Sequence, residues 1–164
     1  MIKAVVFDLD GTLINLPIDY EKLEKEIKIY AKKENIKPIT KTISKLDQKS
    51  QEVVFMVWGE LEAEAWREGT TKQEGMAIYN KFREQPKALV TMQGKAFVNR
   101  LAPPLGLSFN FIVTREDSLD RKEQLQIALK KLQATANETL FVGNTNGDEE
   151  AARKVGCQFT RVPE

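Results

Sequence analysis

The stretch Val5-Val6-Phe7-Asp8-Leu9-Asp10-Gly11-Thr12-Leu13 decides how this chain reads. A short run of Val and Phe is the signature of a buried strand. It runs without a break into two aspartates separated by one residue, then into Gly11 and Thr12. Ionised carboxylates at the end of a buried strand are costly unless something binds them. A divalent metal and a reacting group are the natural partners, so Asp8 and Asp10 are the first candidate site residues.

Composition narrows the chemistry. The chain has 164 residues, 41% apolar and 30% charged, an ordinary make-up for a globular protein with one real core. Its formal net charge of +1 gives no bulk attraction to nucleic acid or an anionic membrane. No apolar run approaches the roughly 18 residues of a membrane span. The first strand begins at Ile2, which leaves no room for a signal peptide. A lone Cys157 rules out an internal disulfide and fits a reducing, cytoplasmic setting. With no histidine, the chain has neither Ser-His-Asp nor Cys-His catalysis. Chemistry falls to carboxylates, hydroxyls, lysine or a metal.

Working outward, five short apolar runs read as parallel strands: 4–7, 88–90, 109–113, 139–142 and 157–162. Helical patterns lie between the later ones. The segment 121–132 carries Leu125, Ala128, Leu129 and Leu132 three and four apart, 94–101 is a short helix, and 148–155 closes at Gly156. This alternation predicts an α/β fold, a Rossmann-like open five-stranded parallel sheet with helices on both faces. One interval breaks the rhythm. Asp8 to Thr91 is 83 residues, against roughly 30 for one crossover unit. The surplus is helical in character, over 20–33, 42–66 and 71–84. It reads as an inserted all-helical cap over 17–85, with a catalytic core from 1–16 and 86–164. Trp58 and Trp66 read as cap core, and Leu13–Pro17 as a hinge.

In an open parallel sheet, ligands sit beyond the carboxyl ends of the strands. Asp8 ends the first strand, Thr91 the second, and Gly143-Asn144 the fourth, with Asp148 just beyond. Lys122 opens the helix after the third strand, where the helix dipole disfavours a cation. A bound phosphate or the Asp8 carboxylate would explain it there. Asp120 and Glu123 offer a capping box for that helix.

These segments resemble the haloacid dehalogenase superfamily of phosphohydrolases. Residues 8–13 match its first motif, Thr91 the hydroxyl of the second, and Lys122 the cation of the third, with Arg121 a rival for that place. Phe141-Val142-Gly143-Asn144-Thr145-Asn146-Gly147-Asp148 is similar to the fourth, and the insert stands where the family's small helical (C1-type) cap stands. The resemblance implies a phosphatase acting on a small phosphorylated metabolite, with no nucleic-acid, membrane or protein partner implied. It implies Asp8 as nucleophile through an aspartyl-phosphate and Asp10 as general acid and base. Gly11, Thr91, Met92 and Lys122 would bind phosphate, and Asp8, Asp10, Asn144 and Asp148 would hold Mg2+.

Asn144 departs from the family pattern, which places an aspartate there. Asp8, Asp10 and Asp148 give −3, Mg2+ gives +2 and Lys122 gives +1, for a net of zero, and an aspartate at 144 would make it −1. Weaker metal binding is therefore expected. Two alternatives remain open: a phosphosugar mutase of the same fold, and a catalytically weak module that binds phosphate or a partner.

Overall fold

The computed structural model describes all residues, 1–164. The chain order is β1 (Ala4–Phe7), β2 (Ile14–Asn15), α1 (Tyr20–Ala31), α2 (Ile39–Ser44), α3 (Gln48–Trp66), β3 (Thr70–Thr71), α4 (Gln73–Lys81), β4 (Lys87–Val90), α5 (Lys95–Leu101), β5 (Phe111–Val113), α6 (Arg121–Leu132), β6 (Thr139–Gly143), α7 (Asn146–Val155) and β7 (Gln158–Arg161).

Five strands form one parallel sheet in the order β5-β4-β1-β6-β7. The first strand, β1, is central. The chain builds outward on one side through β4 and β5, then crosses back to add β6 and β7 on the other. The strand order reverses between β1 and β6, and that reversal opens a crevice at the carboxyl edge. Every residue of β1 is buried because both faces are covered. Val5, Phe7, Leu89 and Val142 point to one face and meet Tyr79 of α4 and Phe97, Val98 and Leu101 of α5. Val6, Ala88, Val90, Val113 and Phe141 point to the other and meet Leu125 and Ala128 of α6 and Ala152 of α7. The side-chain alternation of a strand thus divides one apolar run between two layers.

The segment 17–85 divides between two clusters. Leu23 and Ile27 of α1, Ile43 of α2, and Val54, Trp58 and Leu61 of α3 make a core of their own. Tyr79 of α4 instead packs on the sheet, with its ring 5.7 Å from Phe7, so α4 lies with the sheet layer. The helix expected over 42–66 is two helices. Asp47 breaks it by capping α3, accepting from the Ser50 N–H and hydroxyl, both at 2.9 Å. The capping box expected at Asp120 and Glu123 does not form, and Asp120 makes no side-chain cap bond. It forms instead in α7, between Thr145 and Asp148. The segment proposed as a hinge is held in place: Ile14 and Asn15 pair antiparallel with Thr71 and Thr70. No helix is long and apolar enough to cross a membrane.

Leu125 is fully buried between α6 and the sheet. Leu125→Ala is expected to cost about 2–5 kcal/mol through lost burial and a residual cavity. The urea midpoint should fall with the circular dichroism of the folded state unchanged.

Candidate active site

The crevice at the strand-order reversal is built from the ends of β1, β4 and β6 and the start of α6. Asp8 follows β1 directly, and its N–H is taken by Val142 O at 2.9 Å, so the sheet ladder itself fixes where the carboxylate stands. The residue is 4% exposed. The chain then turns sharply. Leu9 O accepts from the N–H groups of Thr12, Leu13 and Ile14, a tight knot that leaves Asp10 O outside the main-chain bonding. Gly11 makes the turn possible. Its φ is +83°, and a Cβ there would lie 2.0 Å from Asn144 Nδ2.

The knot points the Thr12 hydroxyl back at Asp8 Oδ2 (3.2 Å) and at Asn144 Oδ1 (3.4 Å). Asp8 Oδ1 instead meets a cation, and that cation is Arg121. Its Nη2 lies 2.9 Å from Asp8 Oδ1 and its Nε 3.0 Å from Asp148 Oδ1. Lys122, the sequence candidate for this place, is exposed and makes no such contact. The reason is helical geometry: neighbouring residues on a helix point about 100° apart, so only one faces the crevice. Gln124, one turn on, accepts from Arg121 Nη1 (2.7 Å) and donates to Thr91 O (2.9 Å). It was not among the sequence candidates, although its i+3 spacing from Arg121 was a signal.

Asp148 is heavily committed. Its Oδ2 accepts from the N–H groups of Asn144 (3.1 Å) and Thr145 (3.2 Å), while Oδ1 holds Arg121. It serves as helix cap and as counter-ion to Arg121 together. Asp10 turns its carboxylate aside to accept from Leu16 N–H at 2.9 Å. Thr91 is buried at the end of β4, and its hydroxyl oxygen accepts from Gln93 N–H at 3.0 Å, which leaves the hydroxyl hydrogen to donate elsewhere. The N–H groups of Met92 and Asp10 take no part in main-chain bonding.

Burial pushes the Asp8 carboxyl up to about 7, with Asp148 and Asp10 adding to the rise and Arg121 opposing it. Burial also raises Asp10, against the Leu16 and Gly11 N–H groups and the positive charge of Lys72. The oxygens without a strong partner are Asp8 Oδ2, Asn144 Oδ1 and Asp10 O. All are hard donors of the kind Mg2+ takes, and one carries formal charge. The set therefore fits a divalent cation bound largely with water. No group of three acidic, histidine or cysteine side chains converges as a metal cage. Two open cavities flank the site. One of about 430 Å3 touches Gly11, Lys72 and Asn144. The other, about 420 Å3, lies between α2 and the loop before α6 and touches Ser44, Met92 and Arg121.

In metal-free protein, Asp8 holds its proton more tightly folded (about 7) than unfolded (3.8). Its contribution to stability is therefore fully present below the unfolded value and is lost as pH rises toward 7. Asp8→Asn, unfolded thermally in chelator, should be more stable than wild type at about pH 8, with the gap closing toward about pH 4. A gap independent of pH would show that Asp8 titrates normally.

Comparison with known proteins places this crevice in a family. The phosphoglycolate phosphatase of Pectobacterium atrosepticum is 36% identical over 78 residues, a match covering 44% of this chain and 33% of that protein. The chain thus spans about a third of the length of that curated relative. A hydrolase from Pseudomonas syringae superposes with a TM-score of 0.69 at 18% identity, covering 96% of this chain and 82% of that one. L-2-haloacid dehalogenase from Xanthobacter autotrophicus does so with a TM-score of 0.63 at 18% identity, covering 99% and 78%. These low-identity likenesses speak for the fold. The model of the haloacid dehalogenase-like hydrolases matches residues 2–156, and the chain belongs to that family.

Proposed function

We propose that the protein is a Mg2+-dependent phosphatase of small phosphate esters, working through an aspartyl-phosphate on Asp8. The observation that carries this reading is the split environment of the Asp8 carboxylate. Oδ1 faces a guanidinium, and Oδ2 faces the Thr12 hydroxyl, which also points at Asn144 Oδ1. On this reading Oδ1 reacts and Oδ2 binds a cation.

The Thr91 hydroxyl and the N–H groups of Met92 and Asp10 receive the phosphoryl oxygens, and Arg121 offsets the charge that develops on them. Asp8 Oδ1 attacks phosphorus and forms the acyl-phosphate bond as the ester oxygen leaves. That oxygen takes the proton of Asp10, which burial holds in its acid form more readily than an exposed aspartate. Asp10, now ionised, accepts a proton from water, and the resulting hydroxide attacks phosphorus. Phosphate departs and Asp8 is restored. Mg2+, held by Asp8, Asp10 O and Asn144, would keep Asp8 ionised at neutral pH and neutralise phosphate charge.

A second reading has one observation in its favour. Asn144 is neutral and Asp148 is engaged by Arg121; both would weaken cation binding, and a phosphate-binding module without turnover would tolerate that.

Phosphate release from para-nitrophenyl phosphate and a panel of phosphorylated metabolites, followed across a Mg2+ titration, separates the two. We expect Mg2+-dependent turnover that Asp8→Asn abolishes. Arg121→Ala should lose at least about 100-fold, and Lys122→Ala should leave the rate within about twofold, as expected of a solvent-exposed side chain. Asn144→Asp should reach half-maximal rate at lower Mg2+. Phosphate binding without turnover in folded wild type would favour the module.

A further inference from the structure

Glu62 of α3 and Arg115, two residues beyond β5, form an ion pair with side chains 0% and 2% exposed. A buried ion pair is a weak source of stability, since well-packed apolar residues often do as well. What this one touches is more informative. Arg115 Nη1 donates to Glu62 Oε2 (2.5 Å) and to Met92 O (3.1 Å), and Nη2 donates to Glu62 Oε1 (3.2 Å) and Phe55 O (3.2 Å). Glu62 in turn accepts from Gly94 N–H at 3.0 Å. The pair therefore grips the main chain on both sides of Gln93, in the loop that carries Thr91 and the Met92 N–H. The guanidinium is also stacked 4.6 Å from the Trp58 ring and 5.3 Å from Phe55, both on α3. A Cβ at position 94 would stand 2.7 Å from Arg115 Nη2, so Gly94 is what admits the pair. Three buried polar atoms near this contact, Trp58 Nε1, Gln93 Oε1 and Arg115 Nε, have no partner. That cost is more characteristic of a functional site than of a stability device.

We propose that the Glu62–Arg115 pair is a positioning device that sets the Thr91–Gly94 loop for phosphate binding and makes that geometry depend on the seating of the inserted helix α3. This rests on the phosphatase reading above. Seating of the insert and gripping of phosphate then become one event, and a disturbed α3 degrades the phosphate site from a distance.

The test compares wild type, Arg115→Lys, Glu62→Gln and the double variant, reading KM and kcat for para-nitrophenyl phosphate, inhibition by inorganic phosphate, and thermal stability. Lysine keeps the charge but lacks the planar fork that serves Glu62, Met92 and Phe55 at once. Each single variant should raise KM and the phosphate inhibition constant at least about tenfold, and the double variant no further, because the two residues act as one unit. Folded variants that lose only thermal stability, with KM and phosphate inhibition unchanged, would overturn the proposal. Hydrogen exchange on wild type covers variants that do not fold. Inorganic phosphate with Mg2+ should protect residues 55–62 and 91–95 together, whereas protection of 91–95 alone overturns the coupling. Wild type that neither turns over nor responds to phosphate would remove the phosphatase reading and this proposal together. Turnover in wild type with unaffected variants removes only the positioning role.

Discussion

The burial of one carboxylate governs this molecule. Asp8 stands at the end of the central strand, with its N–H in the sheet ladder and its side chain almost wholly out of water. A buried carboxylate must be neutralised, hydrogen-bonded or protonated. Each neighbouring element supplies part of the compensation. The turn at Gly11 returns the Thr12 hydroxyl, which Asn144 at the end of β6 shares, and α6 delivers Arg121. The compensation is incomplete, which is why burial raises Asp8 so far. The shortfall is the physical basis for reading the site as one that binds a cation.

Stability and chemistry are drawn from different parts of the fold. Two apolar layers, with α4 and α5 on one face and α6 and α7 on the other, bury nearly every side chain of β1, β4 and β6. The polar groups collect at the carboxyl edge, where the strands end and the ladder no longer dictates side-chain identity. The insert has its own small core, centred on Trp58, and meets the edge through the Glu62–Arg115 contact and through apolar packing against Met92 and Leu119.

Asp148 shows how one side chain can serve two structural ends. As third residue of α7 it completes a reciprocal cap with Thr145, and it also anchors Arg121 across the crevice. Both roles use its lone pairs. Asn144 beside it is neutral, and Asp8 Oδ2 meets only the Thr12 hydroxyl. The electrostatic balance of the site follows from that pairing as much as from the residue at 144.

The sequence by itself determined the strand ending in Asp8, the alternation that makes a doubly wound parallel sheet, and the helical character of the insert. Periodicity and chain continuity carry that information locally. It also placed Asp8, Thr91, Asn144 and Asp148 at one edge, because in a parallel sheet all strands end on the same side. The structure alone decided which cation serves Asp8. Arg121 and Lys122 are adjacent and alike in charge, and the rotation of α6 against the sheet selects between them. It alone broke the 42–66 helix at Asp47, where a local cap outweighs the apolar stripe, and put α4 with the sheet. The Glu62–Arg115 pair was invisible beforehand for the same reason. Its partners lie 53 residues apart on elements whose meeting is fixed by packing, and no local pattern encodes a contact that packing creates.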